Sequence, residues 1–421
     1  LTRKEILPGV YLTAEQTDKF KTALLSVNLL RPLCEEEASL GALLPSVLLR
    51  GTERYSDMEQ ISAYLDSLYG AGLCGAVRKK GEVQTVGFFA DFIEDALAPA
   101  GEPVLREMVD FVGEVLLHPY RENGVFAADY VASERLNLIN TIESRVNDKR
   151  AYVTSRLIQT MCAGEAYGVD RLGTVETAER ITPESLFAYY EKILATSQYE
   201  LFYCGRAPFD EVASLLRKAL SELPDRTPVP VGTAVAPLPT QVRRAGETMD
   251  VTQGKLVLGL RTQITVDDPR YPALVLLNVI YGAGVSSKLF VNVREALSLC
   301  YYAGSAIEKY KGVMVVSSGV ETENLERAEA EILRQLDDCR EGRITDEELD
   351  AARRYLRSSL RAALDSPGRL EDHALSQAIA GSEETIGALS ARIEAVTAEQ
   401  VAEAARSLAL DTVFTLKGET A

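Results

Sequence analysis

The sequence predicts an α+β fold built by tandem duplication, in which a mostly antiparallel sheet with helices packed on it occurs twice. Three observations carry this. At 421 residues the chain exceeds one ordinary core and suits two domains of roughly 200 residues each. The segment "SELPDRTPVPVGTAVAPLPTQ" at 221–241 is rich in proline, poor in charge and without helical period, so it reads as an extended linker. The stretches on either side then repeat one order of strands and helices. The resulting division is 1–220 for a first domain, 221–248 for the linker and 249–421 for a second domain.

Taken in order, "KTALLSVNLL" (21–30) and "GKLVLGLRTQI" (254–264) are apolar, β-favouring runs and open the two halves as strands. Each leads into two helices, expected over 39–50 and 56–68 in the first half and over 271–281 and 286–297 in the second. Paired strands follow: "GLCGAVRKK" with "VQTVGFFADF", and "LCYYAGSAIE" with "GVMVVSSGVE". Long helices come next, among them the one opening "TDEELDAARRYLRSSLRAAL", where Thr345 and Glu348 have the spacing of a capping box. The halves also end alike. "ITPESLFAYYEKILATSQYELFYCG" and "VTAEQVAEAARSLALDTVFTLKG" each hold a threonine suited to N-capping, a helix, a strand and a glycine, Gly205 or Gly418. The "YGAG" present at both 69 and 281 falls at different points of the two frames and is no part of the repeat.

Composition narrows the function. A hydrophobic content of 46% with 25% charged residues belongs to a soluble globular chain. A formal charge of −17 opposes nucleic acid, whose phosphates require a basic face, and opposes an anionic membrane surface. No apolar run is long enough to span a bilayer. Six dispersed cysteines without a C-x-x-C pair read as reduced thiols, and the expected location is cytoplasmic. Neither a G-x-S-x-G elbow nor a phosphate-cradling G-x-x-x-x-G-K-[ST] loop is present. Acidic runs such as "CEEEAS" and "DDCREGRITDEELD" are expected on solvated surface.

The order of strand, helix, "RGT" at 50–52, second helix, paired strands, linker and second copy resembles the pitrilysin-type zinc peptidases, the inverzincins. Their smaller two-domain members include the subunits of the mitochondrial processing peptidase. Active members carry H-x-x-E-H on the first helix, shortly before K-G-T or R-G-T. Two histidines one turn apart bind zinc from one helix face, and the glutamate acts as general base on the metal-bound water. Counting back from Arg50 puts Ala42 and Ser46 at the two histidine positions and Pro45 at the position of the base. A methyl group, a neutral hydroxyl and a pyrrolidine ring can neither bind zinc nor move a proton. Pro45 also removes a helical hydrogen bond unless it lies in the first turn. The resemblance puts the third ligand near Thr141, flanked by Glu134 and Glu143. The two histidines of the chain, His118 in "LLHPY" and His373 in "EDHALSQ", read as structural or surface residues. No zinc and no intrinsic peptidase activity are therefore expected of the chain alone.

The second half retains "YGAGVSSKLFVNVREALSLCYYAGSA" (281–306). Ser286 or Ser287 is a plausible N-cap for a helix burying Leu289, Phe290, Val293 and Leu297. The segment resembles the one in which the family spaces an Arg and a Tyr seven apart, here Arg294 and Tyr301. A guanidinium can grip a substrate carbonyl with two forked hydrogen bonds, and a phenol can donate to a developing oxyanion. Strand alternation should send only one of Tyr301 and Tyr302 toward a substrate. The resemblance thus implies a silent subunit whose partner is a zinc-bearing paralogue. The pair would hold an unfolded peptide as an added strand, with zinc only in the partner. The alternatives are a non-enzymatic scaffold and a peptide-binding homodimer.

Overall fold

The first long strand is buried on both faces, and its side chains alternate between two environments. In the computed structural model, which describes residues 1–99 and 101–418, Leu25, Val27 and Leu29 enter the main core of the first compact unit. Ser26, Asn28 and Leu30 point to the opposite face, as alternation requires.

That unit comprises residues 1–143, 169–232 and 366–379. Its strands are β1 (Thr2–Leu7), β2 (Val10–Gln16), β3 (Thr22–Pro32), β4 (Gly72–Lys80), β5 (Val83–Ile93) and β6 (Gln198–Gly205), ordered β1-β2-β6-β3-β5-β4. All neighbours pair antiparallel except β2 with β6. Across both units, the helices used below are α1 (Glu35–Leu48), α2 (Met58–Ser67), α3 (Val104–Leu117), α4 (Ala128–Ser144), α5 (Lys149–Met161), α6 (Pro183–Thr196), α7 (Tyr271–Asn278), α8 (Leu325–Arg340), α9 (Asp346–Ala363), α10 (Pro367–Ala380) and α11 (Ala398–Arg406); Val175–Glu179, Phe209–Ala219 and Ile386–Ala395 are also helical. Helices α1, α3 and α6 contribute Leu43, Leu44, Val109, Val112, Leu186 and Ile193 to the first core.

The second unit comprises residues 144–168, 233–365 and 380–421, described to 418. Its strands β7 (Arg243–Met249), β8 (Gly254–Arg261), β9 (Tyr302–Glu308), β10 (Val313–Val320) and β11 (Ala409–Gly418) are ordered β9-β10-β8-β11-β7. Again one pair, β11 with β7, is parallel. Strand β7 occupies residues expected to be linker, so the stretch without regular structure ends before Arg243. The α+β class and the repeated sheet stand as the sequence indicated.

The compact units interleave along the chain. Helix α5 comes from the first half of the sequence but belongs to the second unit, where Val153 and Leu157 pack on Val257, Phe414 and Leu416. Helix α10 comes from the second half and belongs to the first unit. The threonine caps are formed: Thr182 Oγ1 accepts from Ser185 N at 3.2 Å and Thr397 Oγ1 from Gln400 N at 3.3 Å. Thr345 and Glu348 close their capping box. No helix among the described residues is long and apolar enough to cross a membrane.

One local expectation is corrected. Residues 286–297 do not form an ordinary α-helix. Val279–Ala283 and Leu289–Ala296 wind as π-helix, a geometry often found at functional sites. Leu289 and Val293 are buried as expected, Phe290 is half-buried, and Leu297 is exposed because the wider turn rotates it away from the core.

Candidate functional site

The helix onto which the resemblance places the metal motif is intact, and of the three positions it points to, Ala42 and Pro45 are buried in packing. Pro45 lies near the C-terminal end of α1, far beyond the first turn, so the Gly41 carbonyl has no intrahelical N–H to accept there. Its ring is accommodated by the facing strand. A Cβ on Gly75 of β4 would stand 2.8 Å from Pro45 Cβ, so only glycine permits this approach. Ala42 is buried, and Ser46 alone faces solvent.

The R-G-T that follows has structural duties independent of metal. The Arg50 guanidinium donates to Glu134 Oε1 on α4 at 3.1 Å and lies over the Tyr130 ring at 4.9 Å. A Cβ on Gly51 would come within 2.4 Å of the Ser56 carbonyl oxygen. Thr52 is fully buried, donates its N–H to Tyr55 O at 2.6 Å and accepts Tyr55 N–H on Oγ1 at 3.0 Å. The frame thus persists because it closes the α1–α2 corner and ties α1 to α4.

Thr141, near the place of the third ligand, is exposed on α4 and donates to its own helix at Asn137 O, 2.8 Å away. Of its acidic neighbours, Glu134 is committed to Arg50 and Glu143 is exposed. His118 caps the C-terminus of α3, with Glu53 and Glu222 about its ring at 4.0 and 3.8 Å, and His373 lies on α10. Among the described residues no group of three or more His, Cys, Asp or Glu could hold a metal ion.

In the second unit, Arg294 is half-exposed on the second π-helical segment, its guanidinium over the Phe290 ring at 4.6 Å and 3.4 Å from Glu295. Tyr301 precedes β9, is 61% exposed and donates its hydroxyl to Glu321 Oε1 at 2.5 Å. That hydrogen bond to a carboxylate raises the phenol above its usual range. No contact joins Arg294 to Tyr301 among the described residues. Tyr302, the first residue of β9, is half-buried beneath the Arg150 guanidinium, which lies 4.4 Å from its ring centroid, and its hydroxyl has no hydrogen-bond partner among the described residues.

Beside these residues runs a groove of about 620 Å³. Arg150, Thr154 and Ile158 of α5 form one wall, and the 282–285 backbone with Phe290 forms another. All six residues from Ala303 to Glu308 line it. Side-chain alternation alone would bring only every second residue, so it is the edge of β9 that faces the groove. Strand β9 pairs only with β10 among the described residues. Sequence reading did not find Arg150 or this groove, because the stacking partners come from different halves of the chain.

A Bacillus subtilis protein named as a probable inactive metalloprotease, YmfF, is 34% identical over 403 residues, covering 96% of this chain and 94% of its own. This chain belongs to the M16 peptidase family. It is a pitrilysin-type member without the zinc motif. The profile of the "Peptidase M16 inactive domain" matches residues 180–356. A conserved Enterococcus faecalis protein of known structure superposes with a TM-score of 0.92 at 31% identity, covering 100% of this chain and 99% of that one. A Pseudomonas fluorescens structure described as a peptidase M16 inactive domain shares the fold at a TM-score of 0.82 and 17% identity, with 100% and 98% covered. As an M16 member the chain keeps the corner and the sheets of the family, while Ala42, Pro45 and Ser46 on its α1 offer no ligand and no base.

Proposed function

We propose that this M16 chain is the catalytically silent subunit of a heterodimeric peptidase. It binds an unfolded peptide and presents Arg294 and Tyr301 to the active site of a zinc-bearing paralogue. The observation that carries the reading is the pairing of an M16 fold lacking every motif ligand with an unpaired β9 edge open to a groove. An extended peptide satisfies such an edge by adding a strand, with main-chain hydrogen bonds giving affinity. In this reading Arg294 grips a substrate carbonyl, and Tyr301 leaves Glu321 to donate to the oxyanion. Zinc sits only in the partner, and the pair works in the cytoplasm.

Co-expression with a paralogue bearing H-x-x-E-H tests it. Turnover of an unstructured peptide by the pair should fall about 100-fold with Tyr301→Phe, the loss typical of one oxyanion donor, and markedly with Arg294→Ala. Unchanged turnover in both variants would refute the assigned roles.

A second reading is a peptide-binding chain with no part in cleavage, either a scaffold or a homodimer. The engaged Tyr301 hydroxyl and the Arg294 side chain stacked on its own segment favour it. Sizing chromatography of the chain with and without the paralogue separates the two.

A further inference from the structure

The groove along β9 carries charge unevenly. Arg150 stands at the end where β9 begins, because its guanidinium stacks on Tyr302. Among the described residues Arg150 has no carboxylate at ion-pair distance, in a chain with 62 acidic residues. Asp148, the nearest acid in sequence, is turned to the α5 N-terminus, where its Oδ1 accepts the N–H of Arg150 at 3.1 Å and of Ala151 at 3.0 Å. Stacking on an aromatic face fixes the plane of a guanidinium and leaves its forked donors available. At the other end of β9 stands Glu308, which also lines the groove. The strand between them spans about 20 Å at the usual rise per residue. An acidic group on a bound strand is therefore drawn to the Arg150 end.

We propose that Arg150 is a specificity-determining residue: it receives a carboxylate, from an acidic side chain or a peptide C-terminus, at the Tyr302 end of an extended peptide lying along β9. This rests on the reading of the β9 edge as the peptide-binding edge. The carboxylate matches the guanidinium fork in a bidentate contact, which sets the register and direction of the added strand. The site selects peptides with one acidic end over neutral ones of equal length.

The test uses the full chain and fluorescence anisotropy with labelled unstructured octapeptides. One has a glutamate near a free C-terminus, a second replaces that glutamate with glutamine, and a third is amidated at the C-terminus. Arg150→Gln should weaken binding of the first peptide about tenfold, the equivalent of one charged hydrogen-bonded contact. It should leave unaffected a fourth, neutral peptide that carries both the glutamine and the amidated C-terminus, and Arg150→Lys should restore part of the affinity. Whichever substitution in the peptide reproduces the loss identifies side chain or terminus as the carboxylate source. Equal binding of acidic and neutral peptides by the unmodified chain would overturn the role of Arg150 while leaving peptide binding intact. So would equal weakening of both by Arg150→Gln. Failure to bind any peptide would instead remove the groove reading itself.

Discussion

Helices α5 and α10 hold equivalent places in the two halves, each following the long helix that precedes it, yet they dock on their sheets by different chemistry. Counted from the starts of α4 and α9, Val153 and Glu371 occupy the same position. Val153 is fully buried against Val257, Phe414 and Leu416. Glu371 is equally buried, but it lies among hydrogen-bond donors. Its Oε1 accepts from Ser26 Oγ at 3.1 Å, Asn28 Nδ2 at 3.0 Å and Arg78 Nη2 at 2.7 Å, and its Oε2 accepts from Arg78 Nη1 at 2.7 Å. Lys80 adds a bond to Asp372 at 2.6 Å. The ends of the two helices invert the pattern. Leu375 of α10 packs on Leu30 and Val83, while just beyond α5 Glu165 meets the buried Arg261 and Lys311 at 2.6 and 2.7 Å. Duplication preserved the architecture of helix on sheet, and each copy satisfied it with its own set of side chains. Shape survives because many residue sets fill the same space, provided every buried polar group is paired.

The largest effect expected from this contrast is at Glu371. Truncation by Glu371→Ala leaves the Arg78 guanidinium and the Asn28 amide without their shared acceptor. The cost should be about 3–5 kcal/mol, as for other broken buried pairs, read from the urea midpoint. Replacing Glu371 and Arg78 together by leucine should return most of that loss, because no buried charge is then left alone. If Glu371→Ala costs less than about 1 kcal/mol, far below the usual range for a broken buried pair, the polar docking is dispensable and the contrast loses its meaning.

On the other sheet the corresponding change is apolar. Leu157→Ala should cost about 2–3 kcal/mol, the lower part of the range for a buried leucine. Met161 lies beside it against Gly259, and the flexible thioether can swing into the vacated volume. Its loss should also be insensitive to salt, whereas Coulombic docking of α10 at the part-exposed Lys80–Asp372 pair should weaken as salt rises. Equal salt responses for the two helices would break the comparison.

The legible and illegible parts divide along the same physical line. The repeated order of elements placed β4 and β5 within a residue of their observed ends, and the turn chemistry located the caps at Thr182, Thr345 and Thr397. That Ala42, Pro45 and Ser46 carry no metal-binding side chain is readable from residue type, once the resemblance sets the frame from Arg50. What could not be read depends on distant partners. The docking of α5 and α10 away from their own halves opposes the rule that sequence neighbours pack together. The service of Gly51 rests on a backbone approach to Ser56, which leaves no periodic trace. The same holds for the engagement of Tyr301 by Glu321, which lies beyond the two following strands, β9 and β10. Apolar spacing at 289–297 fitted an α-helix, and only the winding itself reveals the π-geometry that exposes Leu297.

The smallest effect examines whether equivalent positions with identical chemistry behave identically. Thr182 and Thr397 cap α6 and α11, the helices that lead into β6 and β11, and each Oγ1 accepts the N–H three residues on. Thr182 is answered by Ser185 Oγ at 2.9 Å, and Thr397 by Gln400 Oε1 at 2.9 Å, so both capping boxes are complete. Loss of a threonine cap typically costs about 1 kcal/mol, set by one orphaned helical N–H rather than by the surrounding core. Thr182→Ala and Thr397→Ala should therefore lower stability by equal amounts within about 0.5 kcal/mol, the usual tolerance for independent sites, and add in the double variant. A clear inequality would mean that even local backbone chemistry has diverged between the copies, and that the contrast between α5 and α10 is one instance of a general drift.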